Sequence, residues 1–320
     1  MDKKVLFFTF LIVMVVGSLT IKVITLPPYI KTPKLVEIPE NVTAEQIAEI
    51  LKKENVIKNE RWFLWFVKHY NLQNKLQAGI YEFYGRVPLR KVINKLASGK
   101  VVLVKITIPE GATVKDIGKI LEEKNITSKE EFVNYCLKNK LEGFLFPDTY
   151  LFPMKISPQT VARIMVKKFW EEFEKIYEKE ISKKNEKEIK RIVIVASIVE
   201  KEAEIDSERP IVASVIYNRL KKNLPLQSCA TVEYALGYHK SRLSEKEISI
   251  NSPFNTYIHK GLPPTPICNP GIKSLKAAIK PARTDYLYFV SKGNGRHYFS
   301  KTYKEHLQAR KIYLENSEKN

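Results

Sequence analysis

Cysteine is scarce in this chain of 320 residues: Cys136, Cys229 and Cys268 are odd in number and form neither a CxxC pair nor a metal-ligand spacing. That excludes a disulfide framework and a zinc site as organising devices; at most one pair could form, and the three read as structural thiols. Zinc-finger spacing is missing, as is any basic stripe interleaved with aromatics, which argues against nucleic acid as a partner. Acidic side chains are outnumbered, 35 Asp and Glu against 54 Lys and Arg, for a net charge of +19. This balance favours an anionic partner such as lipid head groups or a cell-wall polymer, and by itself it does not choose between them.

Only one long apolar run is present. Val5 to Ile21 carries no charge and follows Lys3 and Lys4. It is about the shortest stretch able to span a bilayer, and the two lysines orient it with the amino terminus inside. No A-x-A-like cleavage site follows, so the run is expected to be an uncleaved single-pass anchor that leaves the rest of the chain extracytoplasmic. Residues 1–24 are thus assigned to the tail and anchor. Residues 25–35, which include the proline-rich Leu26 to Pro33, are assigned to a stiff linker.

A repeat organises the next section. Val36 to Asn55 recurs as Ile106 to Asn125, with Ile38, Pro39, Glu40, Thr43, Ile47, Ile50 and Leu51 matched by Ile108, Pro109, Glu110, Thr113, Ile117, Ile120 and Leu121. Each copy reads as strand, turn, helix, with Thr43 and Thr113 as N-caps. Between them the pattern predicts a helix over Arg61 to Tyr70, a strand over Gly79 to Phe83 and a helix from Pro88 to Ala97 closed by Gly99. Residues 36–125 are therefore expected to form a small α+β module. Trp62, Phe63, Trp65 and Phe66 suit either its core or a ligand platform, and their spacing favours core.

Residues 126–320 are expected to form a second, mixed α+β domain. Leu141 to Pro153 is too irregular for one helix, and is either a hydrophobic plug or a cleft wall carrying Glu142, Asp148 and Tyr150. A helix starts at Ser157 and Pro158. A turn is expected near Lys183 to Lys187, and the next helix carries the run Arg191 to Glu204, apolar on nearly every face until Glu200 and Glu202. A carboxyl group among Ile, Val and Ala loses hydration, which disfavours its anion and prepares it to donate a proton. The two glutamates lie about 200° apart around a helix and cannot both line one cleft. A further helix follows Ser207 and Pro210. The long connections from Pro225 to Gly271 are rich in Asn, Thr, Tyr and Pro, side chains suited to sugar hydroxyls and acetamido groups. Tyr286 to Val290 and His297 to Phe299 read as a hairpin, with a terminal helix from near Thr302.

ASIVEKEA, LEGFLFPDTY, ASVIYNRL, LQSCATVEYALG, SPFNTYIHKGLPPTPICNPG, SLKAAIKPARTDYLYFV and GRHYFS, in this order, resemble the endolytic murein transglycosylases of the MltG, YceG-like type. The resemblance implies a membrane-anchored enzyme of the cell wall: a LysM-like module followed by a domain that cuts nascent peptidoglycan strands internally, leaving 1,6-anhydro-N-acetylmuramoyl ends. No cofactor or metal is implied. The implied partners are glycan strands and the membrane, with peptidoglycan synthases as further candidates.

Matched onto the resemblance, the second Glu of EKE, Glu202, is the expected catalytic acid, with Glu200 as a hydrogen-bonding or salt-bridging support and Glu142 as a residue that lines the groove or orients the acid. Gln227, Asn255, Thr256, Tyr257 and Asn269 are candidates for glycan or peptide contacts, His297 for a cleft position, and Gly261, Pro263, Pro264 and Gly271 for shaping the loops. Cys229 stands where relatives usually carry Asp, and Thr265 interrupts the usual Gly after Pro-Pro. Two other readings compete: a tethered peptidoglycan-binding scaffold without catalysis, and a lysozyme-like hydrolase, which needs a second working carboxylate.

Overall fold

The computed structural model describes residues 27–177, 186–240 and 243–315. The anchor expected over Val5 to Ile21 and most of the turn expected near Lys183 lie outside the described residues. Among those described, no helix is long and apolar enough to cross a membrane. The architecture is mixed α+β, and the chain divides into two compact units, Met1–Val104 with Leu151–Ile156 and Lys105–Tyr150 with Ser157–Asn320.

In the first unit, β1 (Tyr29–Ile38) and β2 (Gly79–Arg86) form an antiparallel pair running from Tyr29 opposite Arg86 to Ile38 opposite Gly79. The linker expected through residue 35 is therefore mostly strand. Its prolines are tolerated because the register slips between Ile30 and Lys34, around Pro33, which has no N–H to offer the ladder. Three helices, α1 (Ala44–Lys53), α2 (Glu60–His69) and α3 (Leu89–Ala97), complete the unit. Val36, Ile38, Leu51, Phe63, Val67, Tyr81, Phe83, Val92 and Leu96 form its core. Phe63 is fully buried, but Trp62 and Trp65 on the same helix stay 48% and 51% exposed. The four aromatics thus split, because a helix with one buried stripe cannot hide residues about 100° apart.

The repeat is visible in local geometry. Thr43 opens α1 and Thr113 opens α4 (Val114–Glu123), each with a reciprocal capping box, to Gln46 and Asp116 respectively. Asn41 and Gly111 have positive φ before the two caps, and Asn55 and Asn125, both at φ 54°, follow the two helices. Left-handed turns at matched positions are served by Asn and Gly. The unit boundary nevertheless falls at Val104, not after Asn125: the second copy belongs with the larger unit, where α4 packs on α5 (Lys129–Lys138). Local similarity set the expected boundary, whereas packing partners set the observed one.

Strand β3 (Leu103–Thr107) pairs with β4 (Thr149–Pro153). In the larger unit α6 (Pro158–Tyr177), α7 (Glu186–Glu202), α8 (Arg209–Lys221), α9 (Cys229–Leu236), the short α10 (Glu245–Ile248) and α11 (Ile272–Ile279) are followed by the hairpin β5 (Tyr288–Ser291) and β6 (His297–Ser300), then α12 (Tyr303–Glu315). Helix α7 is the axis: residues from Ile192 through Val199 are all buried, against Phe169, Phe173, Val212, Ile216, Ile267 and Leu275. A helix apolar all round is one enclosed on every side, and α8, α9 and α11 pack on it.

Candidate functional site

The enclosure of α7 ends where its charges begin, and the two glutamates meet different surroundings. Glu200 accepts from Arg209 Nη1 at 3.1 Å and from the Gly271 amide at 2.9 Å, with both charged side chains below a tenth exposed. The same guanidinium donates to Ser274 Oγ at 2.6 Å and to Asp206 at 3.2 Å. Glu200 therefore joins α7 to α8 and α11 as a buried ion pair. Gly271 serves this junction by its size: an added Cβ would stand 1.8 Å from Glu110 Oε1.

Among the described residues, no cationic side chain forms an ion pair with Glu202. Its Oε1 accepts a short hydrogen bond from Ser228 Oγ, and the Ala230 backbone amide supplies a second donor. Loss of hydration pushes its carboxyl above the usual range, the dominant effect; the nearby Glu233 carboxylate pushes the same way, while Ser228, His297 and Ala230 pull back toward the anion. The residue keeps intermediate solvent exposure although its carboxyl is closely surrounded by protein. Both protonation states have support there, which is what a group that gives and later retakes a proton requires.

Ser228 was not singled out from sequence. It is the N-cap of α9 by backbone geometry, yet its side chain makes no cap bond to its own helix. Instead its hydroxyl reaches Glu202, and its amide donates to Thr256 Oγ1 at 3.1 Å. A Ser just ahead of CATVEYAL was a readable N-cap signal, but its diversion to a residue 26 positions earlier was not. The helix N-terminus beneath it adds partial positive charge near the carboxylate.

His297, at the start of β6, lies close enough to favour the Glu202 anion. Glu208 holds it from behind through a 2.8 Å contact to Nδ1 and bonds from the His297 amide at 3.0 and 3.2 Å. Glu208 and Arg209 were also missed, because only the folded chain brings the start of α8 to a strand near residue 297 and to the end of α7. Tyr257 and Cys229 feel the Glu202 charge as well, and the Tyr257 hydroxyl lies 3.0 Å from Cys229 Sγ. Gln227 is exposed and accepts from Arg219 Nη2 at 2.6 Å.

Three of the expected contact residues lie inside the wall, not on its surface. Asn269, fully buried, bonds the amides of Gly143 and Leu145, the carbonyl of Ala112 and Glu142 Oε1, all within 3.0 Å, which uses its whole amide. Asn255, also fully buried, donates to the carbonyls of Ile248 and Ile250 and accepts from the Tyr257 amide. Thr256, 2% exposed, is held by Ser228 and Thr231. Their side-chain polar atoms are engaged in tying loops together.

Glu142 is likewise interior, 4% exposed. It accepts from the Val114 amide at the start of α4, from Asn269 Nδ2 and from the Tyr234 hydroxyl, and burial pushes its carboxyl up to about 7. Gly143 beside it has φ 88°, and a Cβ there would lie 2.5 Å from Pro266. Tyr150 is buried with its hydroxyl on the Phe146 carbonyl, while Asp148 pairs at 3.4 Å with Lys168. Of the two readings of residues 141–153, the packed plug describes Glu142 and Tyr150.

Two hollows elsewhere, one around Asp206, Pro210 and Lys273, the other around Arg191, Leu220 and Pro263, are not lined by Glu202. Among the described residues, no cluster of three or more metal-binding side chains occurs.

The fold is mixed α+β, and the last turn of α7 carries two glutamates in different surroundings: Glu202, whose carboxyl is desolvated and raised, and Glu200, held in a buried ion pair on the opposite side of the helix. The chain belongs to the YceG-like family, which matches residues 36–312. It is 38% identical over 311 residues to a Bacillus subtilis protein named endolytic murein transglycosylase, covering 89% of this chain and 86% of that relative. A Streptococcus pneumoniae protein of the same name is 27% identical, with 85% of this chain and 56% of the relative covered. The crystal structure of a yceG-like protein from Listeria monocytogenes is 35% identical and superposes with a TM-score of 0.58 over 87% of this chain and 99% of that one.

Proposed function

We propose that this chain is an endolytic murein transglycosylase: a lyase that cleaves the MurNAc–GlcNAc bond within nascent peptidoglycan strands, forms 1,6-anhydro-MurNAc ends and so terminates glycan elongation. Family membership and the name carried by its relatives support the activity. The observation that carries the mechanism is the desolvated Glu202 carboxyl, held above the ordinary carboxylate range with a single side-chain donor on Oε1.

Protonated Glu202 gives its proton to the glycosidic oxygen, and the C–O bond breaks with positive charge developing at the muramoyl anomeric carbon. The resulting carboxylate, stabilised by Ser228, the Ala230 amide and His297, then takes the proton of the same sugar's C6 hydroxyl as that oxygen closes on the anomeric carbon. The nucleophile is intramolecular, so no water is consumed and no second catalytic carboxylate is needed. A hydrolase would need one to activate water or form an adduct. The neighbouring carboxylate, Glu233, is engaged by His239 at 2.9 Å and by the Lys240 amide at 3.2 Å, which supports the one-carboxyl route.

In this reading Glu200 and Glu142 are supports, Gln227, Tyr257 and His297 are the candidates to meet substrate, and Asn255, Thr256 and Asn269 hold the loops behind them. Residues 36–125 contain the LysM-like glycan-binding region, and Val5 to Ile21 anchors the protein in the cytoplasmic membrane with residue 27 onward outside. The test is mass analysis of un-crosslinked glycan strands incubated with the wild type, Glu202→Gln and Glu200→Gln. Anhydro ends from the wild type and a loss of about 100-fold or more in Glu202→Gln are expected. Products one water heavier would indicate a hydrolase, unchanged strands a scaffold, and retained activity in Glu202→Gln alongside its loss in Glu200→Gln would reverse the assignment of the acid.

A further inference from the structure

The first unit carries an aromatic stripe that touches its core only through the partly buried Phe66. On α2 and its C-cap residue Tyr70, the rings of Trp62, Trp65, Phe66, His69 and Tyr70 form a continuous chain of contacts: Trp62 to Trp65 at 6.0 Å, Trp65 to Phe66 at 5.0 Å, Trp65 stacked on His69 at 4.9 Å and Phe66 stacked on Tyr70 at 6.0 Å. Phe63 and Val67 supply the helix's buried side, while Trp62, Trp65 and Tyr70 stay about half exposed, at 48%, 51% and 53%. Two half-exposed tryptophans in contact on one short helix are a costly surface to leave in water.

What faces the stripe follows from position and charge. Ile21, the end of the apolar run, precedes Tyr29, the start of β1, by eight residues, a reach of about 28 Å at most. That is close to the diameter of a module this size, so an anchored chain keeps the first unit at the bilayer surface, where even weak contacts are held at high effective concentration. Arg61 and Lys68 border the stripe on the helical wheel, and Lys58 and Lys75 flank α2 in sequence; all four are exposed. Residues 27–104 hold thirteen Lys and Arg against seven Glu and no Asp. Tryptophan and tyrosine with interspersed cations match the headgroup layer of an anionic membrane, the rings at the acyl boundary and the cations on phosphates.

We propose that the Trp62–Trp65–Tyr70 face of α2 docks on the anionic phospholipid surface next to the anchor, fixing the first unit's orientation on the membrane. The inference rests on the anchored reading of Val5 to Ile21. A glycan strand could also stack on tryptophan, but neither the flanking cations nor the short tether favours that occupant.

The experiment uses the full chain in lipid nanodiscs containing phosphatidylglycerol, with and without bromine on the acyl chains, and reads tryptophan emission. Trp170 packs on Phe144, Phe169 and Phe173 and serves as internal reference. Two variants separate the signals: Trp170→Phe keeps the stripe alone, and Trp62→Phe with Trp65→Phe keeps the reference alone. Bromolipid is expected to quench the first roughly twofold and leave the second within about a tenth of its emission, as membrane-interface rings require. Equal, weak quenching in both overturns the docking while leaving the anchor standing. Emission indifferent to bromolipid but shifted by added soluble glycan strands also overturns it, in favour of a sugar platform. A chain that does not enter discs at all refutes the anchor, and the docking with it.

Discussion

Glu142 allows the sharpest test of the buried polar network. Its carboxyl, 4% exposed, sits near 7 where an exposed glutamate sits at 4.5, chiefly from lost hydration, against which the Val114 amide, Tyr234 and Asn269 pull only partly back. The folded state therefore holds this proton more tightly than the unfolded chain. The associated stability is fully present below about pH 4.5 and is lost as pH rises through about 7, because the native state then either carries a buried anion or unfolds to solvate it. A shift of this size corresponds to about 3 kcal/mol between pH 4 and pH 8. Glu142→Gln isolates the effect because the amide suits the same partners: its oxygen can accept from Val114 and Asn269, and its NH₂ can donate to the Tyr234 oxygen. Urea unfolding at pH 5 and pH 8 is the assay. The wild type should lose about 2.5 kcal/mol of that between the two pH values, and Glu142→Gln should be spared this loss. Parallel pH dependence in the two proteins, at equal m values, would refute the assignment of a raised carboxyl to Glu142.

Ser228→Ala removes a donor that favours the Glu202 anion, so the carboxyl should rise further and the alkaline limb of strand cleavage should move up by about one pH unit; an unmoved limb would detach Ser228 from the acid. Arg209→Ala leaves Glu200 buried without its cation and should destabilise the protein by about 3–5 kcal/mol in denaturant unfolding. A change under about 1 kcal/mol, the scale of a surface pair, would mean the pair is solvated. Glu200→Gln keeps the Gly271 contact available and should retain anhydro-end formation per folded molecule, in contrast to Glu202→Gln.

Much of this protein is legible without coordinates because short-range rules operate at the relevant positions. Helical spacing after Thr43 and Thr113, the capping boxes, the matched left-handed turns and the nearly all-apolar circumference of Ile192 to Val199 depend on neighbours within a few residues. The same arithmetic separated Glu200 from Glu202, since 3.6 residues per turn sends alternate positions to opposite sides. What the sequence left unread was a matter of partners distant in the chain. Asn255, Asn269 and Thr256 look like sugar ligands by type, but amides and hydroxyls serve equally well to close loops, and the carbonyls and amides they meet are chosen by packing. Trp62 and Trp65 share a spacing with Phe63, yet only the placement of β1, β2 and α3 decides which ring is covered.

The amino-acid order alone thus determined the α+β class, the strand–helix repeat and the presence of a carboxyl at the polar end of an apolar helix, because backbone periodicity and capping are local. The tertiary structure decided that Ser228 answers to Glu202, that Arg209 neutralises Glu200, that Glu208 seats His297 and that the second repeat copy joins the larger unit. Hydration and charge pairing depend on which distant groups arrive beside a side chain, and that is settled only when the chain has folded.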